Sequence, residues 1–193
     1  MTGPQPPAAQ LTGRMLIAGV GNIFLRDDGF GPAVAKRLAT VSLPAWVRVA
    51  DYGISGMHLA YDLADGYDAA ILVDAAPRGD KPGTVTVLAP APPPRPGLDV
   101  TADGRPGGGP AAETLGASRL FDAHGMQPDV VLGVLDMLGA TAARILVVGC
   151  EPASVDYGME LSEPVANAVD EAVQVILDLV AKEGVSHVPW HSR

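Results

Sequence analysis

The chain has 193 residues, 48% of them hydrophobic but only 5% aromatic, with a formal charge of −9. That length supports one domain whose core is mostly Val, Leu, Ile and Ala. There are 13 Lys and Arg and no basic stripe, so nucleic acid is excluded as a partner. No apolar run has the length of a membrane span, and one cysteine, Cys150, rules out an internal disulfide framework and fits a reducing cytoplasm.

Residues 1–13 are rich in Pro, Ala and Gly, with no basic start and no apolar centre. They read as a flexible leader and not as a secretion signal. A strand is expected over 15–20 and a helix over 29–40. Between them runs Gly19-Val20-Gly21-Asn22-Ile23-Phe24-Leu25-Arg26-Asp27-Asp28-Gly29-Phe30-Gly31. This is a strand–loop–helix junction, and open α/β sheets bind ligands at such junctions. Gly19-x-Gly21 opens like a dinucleotide fingerprint, but Phe24 stands where a third glycine would let helix and strand pack closely. A pyrophosphate would also meet the like charges of Asp27 and Asp28. The junction therefore points to a cation or a polarised water, and to no nucleotide. A helix cap accounts for one of the two aspartates but not for both.

A second strand, 46–51, ends in Asp51-Tyr52-Gly53-Ile54-Ser55-Gly56, before a helix over 56–65. Asp51 reads first as a cap or turn residue. If this end of the sheet meets a substrate, Asn22 on the first loop and Asp51, Gly53, Ser55 and Gly56 on the second are placed to touch it.

The third strand, 69–74, ends in Asp74. Met15–Val20, Ala69–Val73 and Ile145–Val148 are apolar on both faces, as central parallel strands covered by helices on both sides are. The link from Asp74 to Gly83 is too short for a crossover helix. Strand 84–88 is therefore expected to run antiparallel to strand 69–74, at an edge. Residues 89–117 hold Ala91-Pro92-Pro93-Pro94 and Gly107-Gly108-Gly109-Pro110 and form a long irregular loop. His124 follows in a turn before a helix at about 127–139. After strand 144–149 a last helix is expected over 163–183, with Ser162 as N-cap and Val165, Val169, Ala172, Ile176 and Leu179 on one stripe. His187 and His191 lie in a tail, 185–193, too poorly preorganised for a metal site.

This order predicts one α/β domain over 14–184, with a mixed, mostly parallel five-stranded twisted sheet in three layers. Asp28 and Asp74 would project into one crevice above the sheet. With His124 they make a donor set for a divalent metal with open positions, or an acid/base pair for water attack. A turn-capping Asp74 and an ordinary loop histidine remain alternatives on the residues alone. Cys150 has no local signature of a positioned base and reads as buried and inert.

From about Met15 to Leu179 the chain resembles the hydrogenase maturation endopeptidases. Gly19-Val20-Gly21-Asn22 followed by Asp27-Asp28-Gly29-Phe30-Gly31 is similar to that family's first motif. Leu72-Val73-Asp74-Ala75, His124-Gly125 and Gly149-Cys150-Glu151-Pro152 resemble its later ones. The resemblance implies a phosphorylase/hydrolase-like fold and a cytoplasmic peptidase, aspartic-type or using a metal-bound water. Its substrate would be the precursor of a nickel–iron hydrogenase large subunit, from which it removes a C-terminal extension. By position, the resemblance makes Asp28, Asp74 and His124 the catalytic and metal-contacting residues. They would meet nickel carried by the substrate, with Cd or Zn as surrogates. Asp28 is often Glu in the family. Asp51-Tyr52-Gly53-Ile54 stands in place of Asp-Gly-Gly-Thr, and the 89–117 loop is longer than usual. A metal-dependent hydrolase of a small molecule and a non-catalytic, metal-sensing chaperone-like relative are the rival readings.

Overall fold

The computed structural model describes residues 13–89 and 144–185. The leader up to residue 12, the loop beyond 89, His124, the helix expected at 127–139, and His187 and His191 lie outside the described residues.

In chain order the elements are β1 (Met15–Val20), a 3₁₀ turn (Arg26–Gly29), α1 (Phe30–Leu38), β2 (Val47–Gly53), α2 (Gly56–Ala64), β3 (Ala69–Ala75), β4 (Val85–Leu88), β5 (Arg144–Cys150) and α3 (Glu163–Val185). The described strands form one five-stranded sheet in the order β2-β1-β3-β5-β4. Strands β2, β1, β3 and β5 are parallel, and β4 is antiparallel to β5. The edge position and direction expected for 84–88 are found. Its hydrogen-bonding neighbour, however, is β5 and not β3. Parallel β5 takes the open edge of β3, from Ala69↔Arg144 to Ala75↔Cys150. The short link must therefore pass over the end of β5. It is held there by Gly83 N–H to Glu151 O at 2.8 Å and Glu151 N–H to Thr84 O at 3.0 Å.

Every residue of β1 is buried, and alternation along the strand divides them between two cores. Met15 and Ile17 join Phe30, Val34 and Leu38 of α1 and Val165, Ala172 and Ile176 of α3. Leu16, Ala18 and Val20 join Leu59 and Leu63 of α2. The sheet is thus the middle of three layers. The buried stripe of α3 is Val165, Ala168, Ala172, Val173, Ile176 and Val180. The expected Val169 and Leu179 pack only at its margin. None of the described helices is long and apolar enough to cross a membrane.

The close helix–strand contact that Phe24 seemed to forbid is made by other glycines. An added Cβ on Gly31 would lie 2.2 Å from the carbonyl oxygens of both Val20 and Val73. One on Gly19 would lie 2.5 Å from the carbonyl oxygen of Gly31. Backbone oxygens on both sides cannot yield as a flexible side chain does. Gly31→Ala is therefore expected to destabilise the fold by at least about 2 kcal/mol in denaturant unfolding, in the range of forced overpacking. Gly66→Ala meets no atom within 4 Å and carries only the strain of its φ of +95°, so it should cost less.

Candidate active site

The parallel register places Gly19 beside Val73, so the loop after β1 emerges next to Asp74 near the end of β3. Gly21 has φ +127°, a conformation that favours glycine. An added Cβ there would lie 1.8 Å from the Asp28 carbonyl oxygen and 3.7 Å from Asp74 Oδ1. Gly21 is where the segments bearing the two aspartates meet. The Asn22 N–H donates to Asp28 Oδ2 at 2.7 Å, and Asn22 Oδ1 accepts from the Phe24 N–H at 3.0 Å. Asn22 thus folds the loop and holds the Asp28 carboxylate.

Loss of solvation, and after it the negative charge of Asp28, push the Asp74 carboxyl well above the ordinary carboxylate range; the Ala75 N–H opposes them in part. A desolvated carboxyl facing a like charge favours keeping its proton, or taking up a cation that relieves the repulsion. Among the described residues no group of three or more His, Cys, Asp and Glu is arranged to hold a metal ion. His124, the third expected member, lies outside them.

The neighbouring Asp27 has a different environment. It is fully buried. Its carboxylate accepts from Ala153 N–H at 2.8 Å, Ser154 N–H at 3.0 Å, Ser162 N–H at 2.6 Å and Ser162 Oγ at 2.8 Å. Burial acts to raise its pKa, but these donors outweigh burial and hold it below the usual range. Neither Asp27 nor Asp28 caps α1, contrary to expectation, since both the 3₁₀ turn and the helix start without a side-chain cap. Ser162 stands at the N-cap position expected of it. Its carbonyl accepts the Ala166 N–H at 2.8 Å, as an N-cap's does, but its hydroxyl goes to Asp27.

On the second loop Asp51 Oδ1 accepts the Gly53 N–H at 2.9 Å, the turn role read first for it. Gly53 has φ +51° and accepts the Gly21 N–H at 3.0 Å through its carbonyl, joining the two loops. Tyr52 donates its hydroxyl to Asp62 Oδ2 at 2.5 Å, tying β2 to α2. Ser55 precedes α2 without a side-chain cap, and Gly56 is the first residue of that helix.

No role follows from the sequence for Glu151. In the fold its carboxylate accepts from the backbone N–H of Arg78 at 2.6 Å and of Gly79 at 3.2 Å, pinning the β3–β4 link. Cys150 is buried as expected. Desolvation, then the charges of Asp27, Glu151 and Glu171, push its thiol up to about 11. Such a thiol is no nucleophile at neutral pH.

The raised pKa of Asp74 has a stability consequence. Between the unfolded value of 3.8 and the higher folded value, the folded chain binds more protons than the unfolded one. Stability therefore falls as pH rises through that window. Asp74→Asn removes this effect. It is expected to melt higher than wild type at pH 7, with the gap closing below the unfolded value of 3.8. Thermal unfolding at the two pH values checks this, and equal melting at pH 7 would contradict it. Asp27 has the opposite sign: its contribution is complete above 3.8 and is lost as pH falls through its lower folded value.

Known proteins share the sequence and the fold. A family model described as hydrogenase maturation protease matches residues 113–179. Over 191 residues the chain is 30% identical to the hydrogenase expression/formation protein HupM of Azotobacter chroococcum mcd 1, covering 98% of this chain and 78% of that protein. It is 28% identical over 178 residues to the hydrogenase 2 maturation protease of Escherichia coli (strain K12), covering 91% and 96%. Its fold matches the crystal structure of a hydrogenase 2 maturation peptidase from Thaumarchaeota archaeon SCGC_AB-539-E09 with a TM-score of 0.58 at 29% identity, covering 87% and 98%. Similarity of this extent spans both acidic loops and the whole sheet, and the chain belongs to the hydrogenase maturation protease family.

Proposed function

We propose that this peptidase removes a C-terminal extension from the nickel-loaded precursor of a nickel–iron hydrogenase large subunit. In this reading Asp28, Asp74 and His124 recognise nickel carried by the substrate. The observation that carries it is the coupling of Asp28 and Asp74 across Gly21. A desolvated carboxyl beside a second carboxylate is a poor resting anion and a good acceptor for a cation. Exchange of the Asp74 proton for the metal's charge would couple recognition to proton release. An unloaded precursor offers no charge to displace that proton, so cleavage would report completed metal insertion.

The surroundings favour a protein over a small molecule as substrate. Phe24 is 58% exposed, Tyr157 90% and Met159 68%. The two loops that bear them are joined by a bridge between Leu25 and Gly158 and by Gly158 N–H to Phe24 O at 2.9 Å. Exposed apolar side chains grouped beside a crevice mark interaction surfaces.

The test is incubation of the purified chain with nickel-loaded and nickel-free precursors. Cleavage of the loaded form alone is expected. Asp74→Asn and His124→Ala should abolish processing while circular dichroism shows an unchanged fold, since a strand end, and the turn expected from the sequence at His124, carry little packing. Asp28→Glu should keep most activity if Asp28 is a ligand. A narrowly positioned general base would lose about a hundredfold, the cost of moving a reacting group by about 1 Å. Full processing by the folded Asp74→Asn and His124→Ala variants would end the metal-recognition reading.

A further inference from the structure

Asp27 and Asp28 are adjacent, yet their carboxylates have separate surroundings. Asp28 reaches the Asn22 N–H and the neighbourhood of Asp74. Asp27 reaches only inward, to donors 126 to 135 positions away on the connection between β5 and α3. The main chain around it follows the same connection. Arg26 N–H donates to Gly158 O at 2.8 Å, and Asp27 N–H to Ser154 O at 3.2 Å. Arg26 adopts φ +48°, unfavourable for a residue with a side chain, and surroundings must impose it. Its side chain lies against Gly158, where an added Cβ would be 3.0 Å from Arg26 Cγ. The stretch from Phe24 to Asp27 is thus moulded on residues 153–162. Asp28 follows directly, inside the 3₁₀ turn, with little backbone freedom of its own.

We propose that Asp27 is the positioning residue for Asp28: its buried clamp on Ala153, Ser154 and Ser162 sets where the Asp28 carboxylate stands relative to Asp74. The proposal deepens the reading of Asp28 as the functional acid and rests on it. It also gives residues 153–162, remote in sequence from the aspartates, a part in the reaction. A purely structural Asp27 would lower the melting temperature and leave the geometry of the folded site unchanged. A positioning Asp27 changes that geometry.

The Asn22 amide proton, bonded to Asp28 at 2.7 Å, reports that geometry without substrate or metal. In Asp27→Asn an NH₂ group replaces an acceptor oxygen and faces donors, so the clamp loses partners. The full chain is compared as wild type, Asp27→Asn, Ser162→Ala and, as control, Asp28→Asn. The Asn22 amide resonance in Asp27→Asn is expected to move in the direction seen in Asp28→Asn, with the amides of Ile17 and Ile71 unmoved. kcat/KM for the loaded precursor should fall by about a hundredfold. Ser162→Ala, which removes one donor, should shift the same resonance less, and it carries the test if Asp27→Asn does not fold. An Asn22 amide at its wild-type position in either folded variant overturns the proposal. Full processing by Asp27→Asn beside an inactive Asp28→Asn overturns the proposal and leaves the reading of the site standing. Full processing by Asp28→Asn overturns both.

Discussion

Helix α1 approaches the sheet more closely than any side chain permits. At Gly31 its backbone lies against the carbonyl oxygens of Val20 and Val73, and at Gly19 the strand offers no side chain in return. Much else follows from this contact. It holds the start of α1 over the ends of two neighbouring parallel strands. The loop between Gly21 and Gly29 must then fold back within a small space. The positive φ of Gly21 lets it do so, placing Asp28 beside Asp74. A bulkier junction would lift the helix and carry the first acid away from the second.

Three acids near the sheet's carboxyl end have pKa values shifted in different directions because they differ in donors. Asp27 and Glu151 are buried, but each receives several backbone N–H groups, and both pKa values are lowered. Asp74 loses solvation too, but it faces a like charge with one backbone donor opposing, and its pKa is raised. Burial alone does not decide the sign; the supply of donors does. The first two acids tie loops together as permanent anions. The third is left able to exchange a proton, which suits a group that meets a cation on an incoming substrate. Carboxylates of the same kind thus have unlike surroundings in this chain: Asp27 and Glu151 hold loops, and Asp74 is the one left without a set of donors.

Much of this was legible in the residues. Runs apolar on both faces mark β1, β3 and β5 as central strands because parallel strands are covered twice. A link too short for a crossover helix determines the direction and edge position of β4. Acids at strand ends fall on the ligand-binding side of an open α/β sheet whatever the details of packing. Local periodicity and the geometry of connections suffice for all of these. The sequence by itself therefore determined the layers, the sheet's polarity and the end of the sheet at which Asp28 and Asp74 lie.

Only the tertiary structure decided what Asp27, the neighbour of the site acid, does. The partners of Asp27 lie 126 to 135 residues further along the chain, and nothing local points to them. For the same reason the sequence shows Ser162 as a cap but not as a donor to a buried carboxylate, and Glu151 shows no role until the β3–β4 link folds over it. The neighbour of β4 depends on β5 having taken the edge of β3 first. The closeness of α1 depends on Gly31, outside the fingerprint in which Phe24 replaces a glycine. Side-chain periodicity is a property of neighbouring residues. Which donor reaches a buried anion is a property of the packed chain, because desolvation makes that choice only once the elements have met.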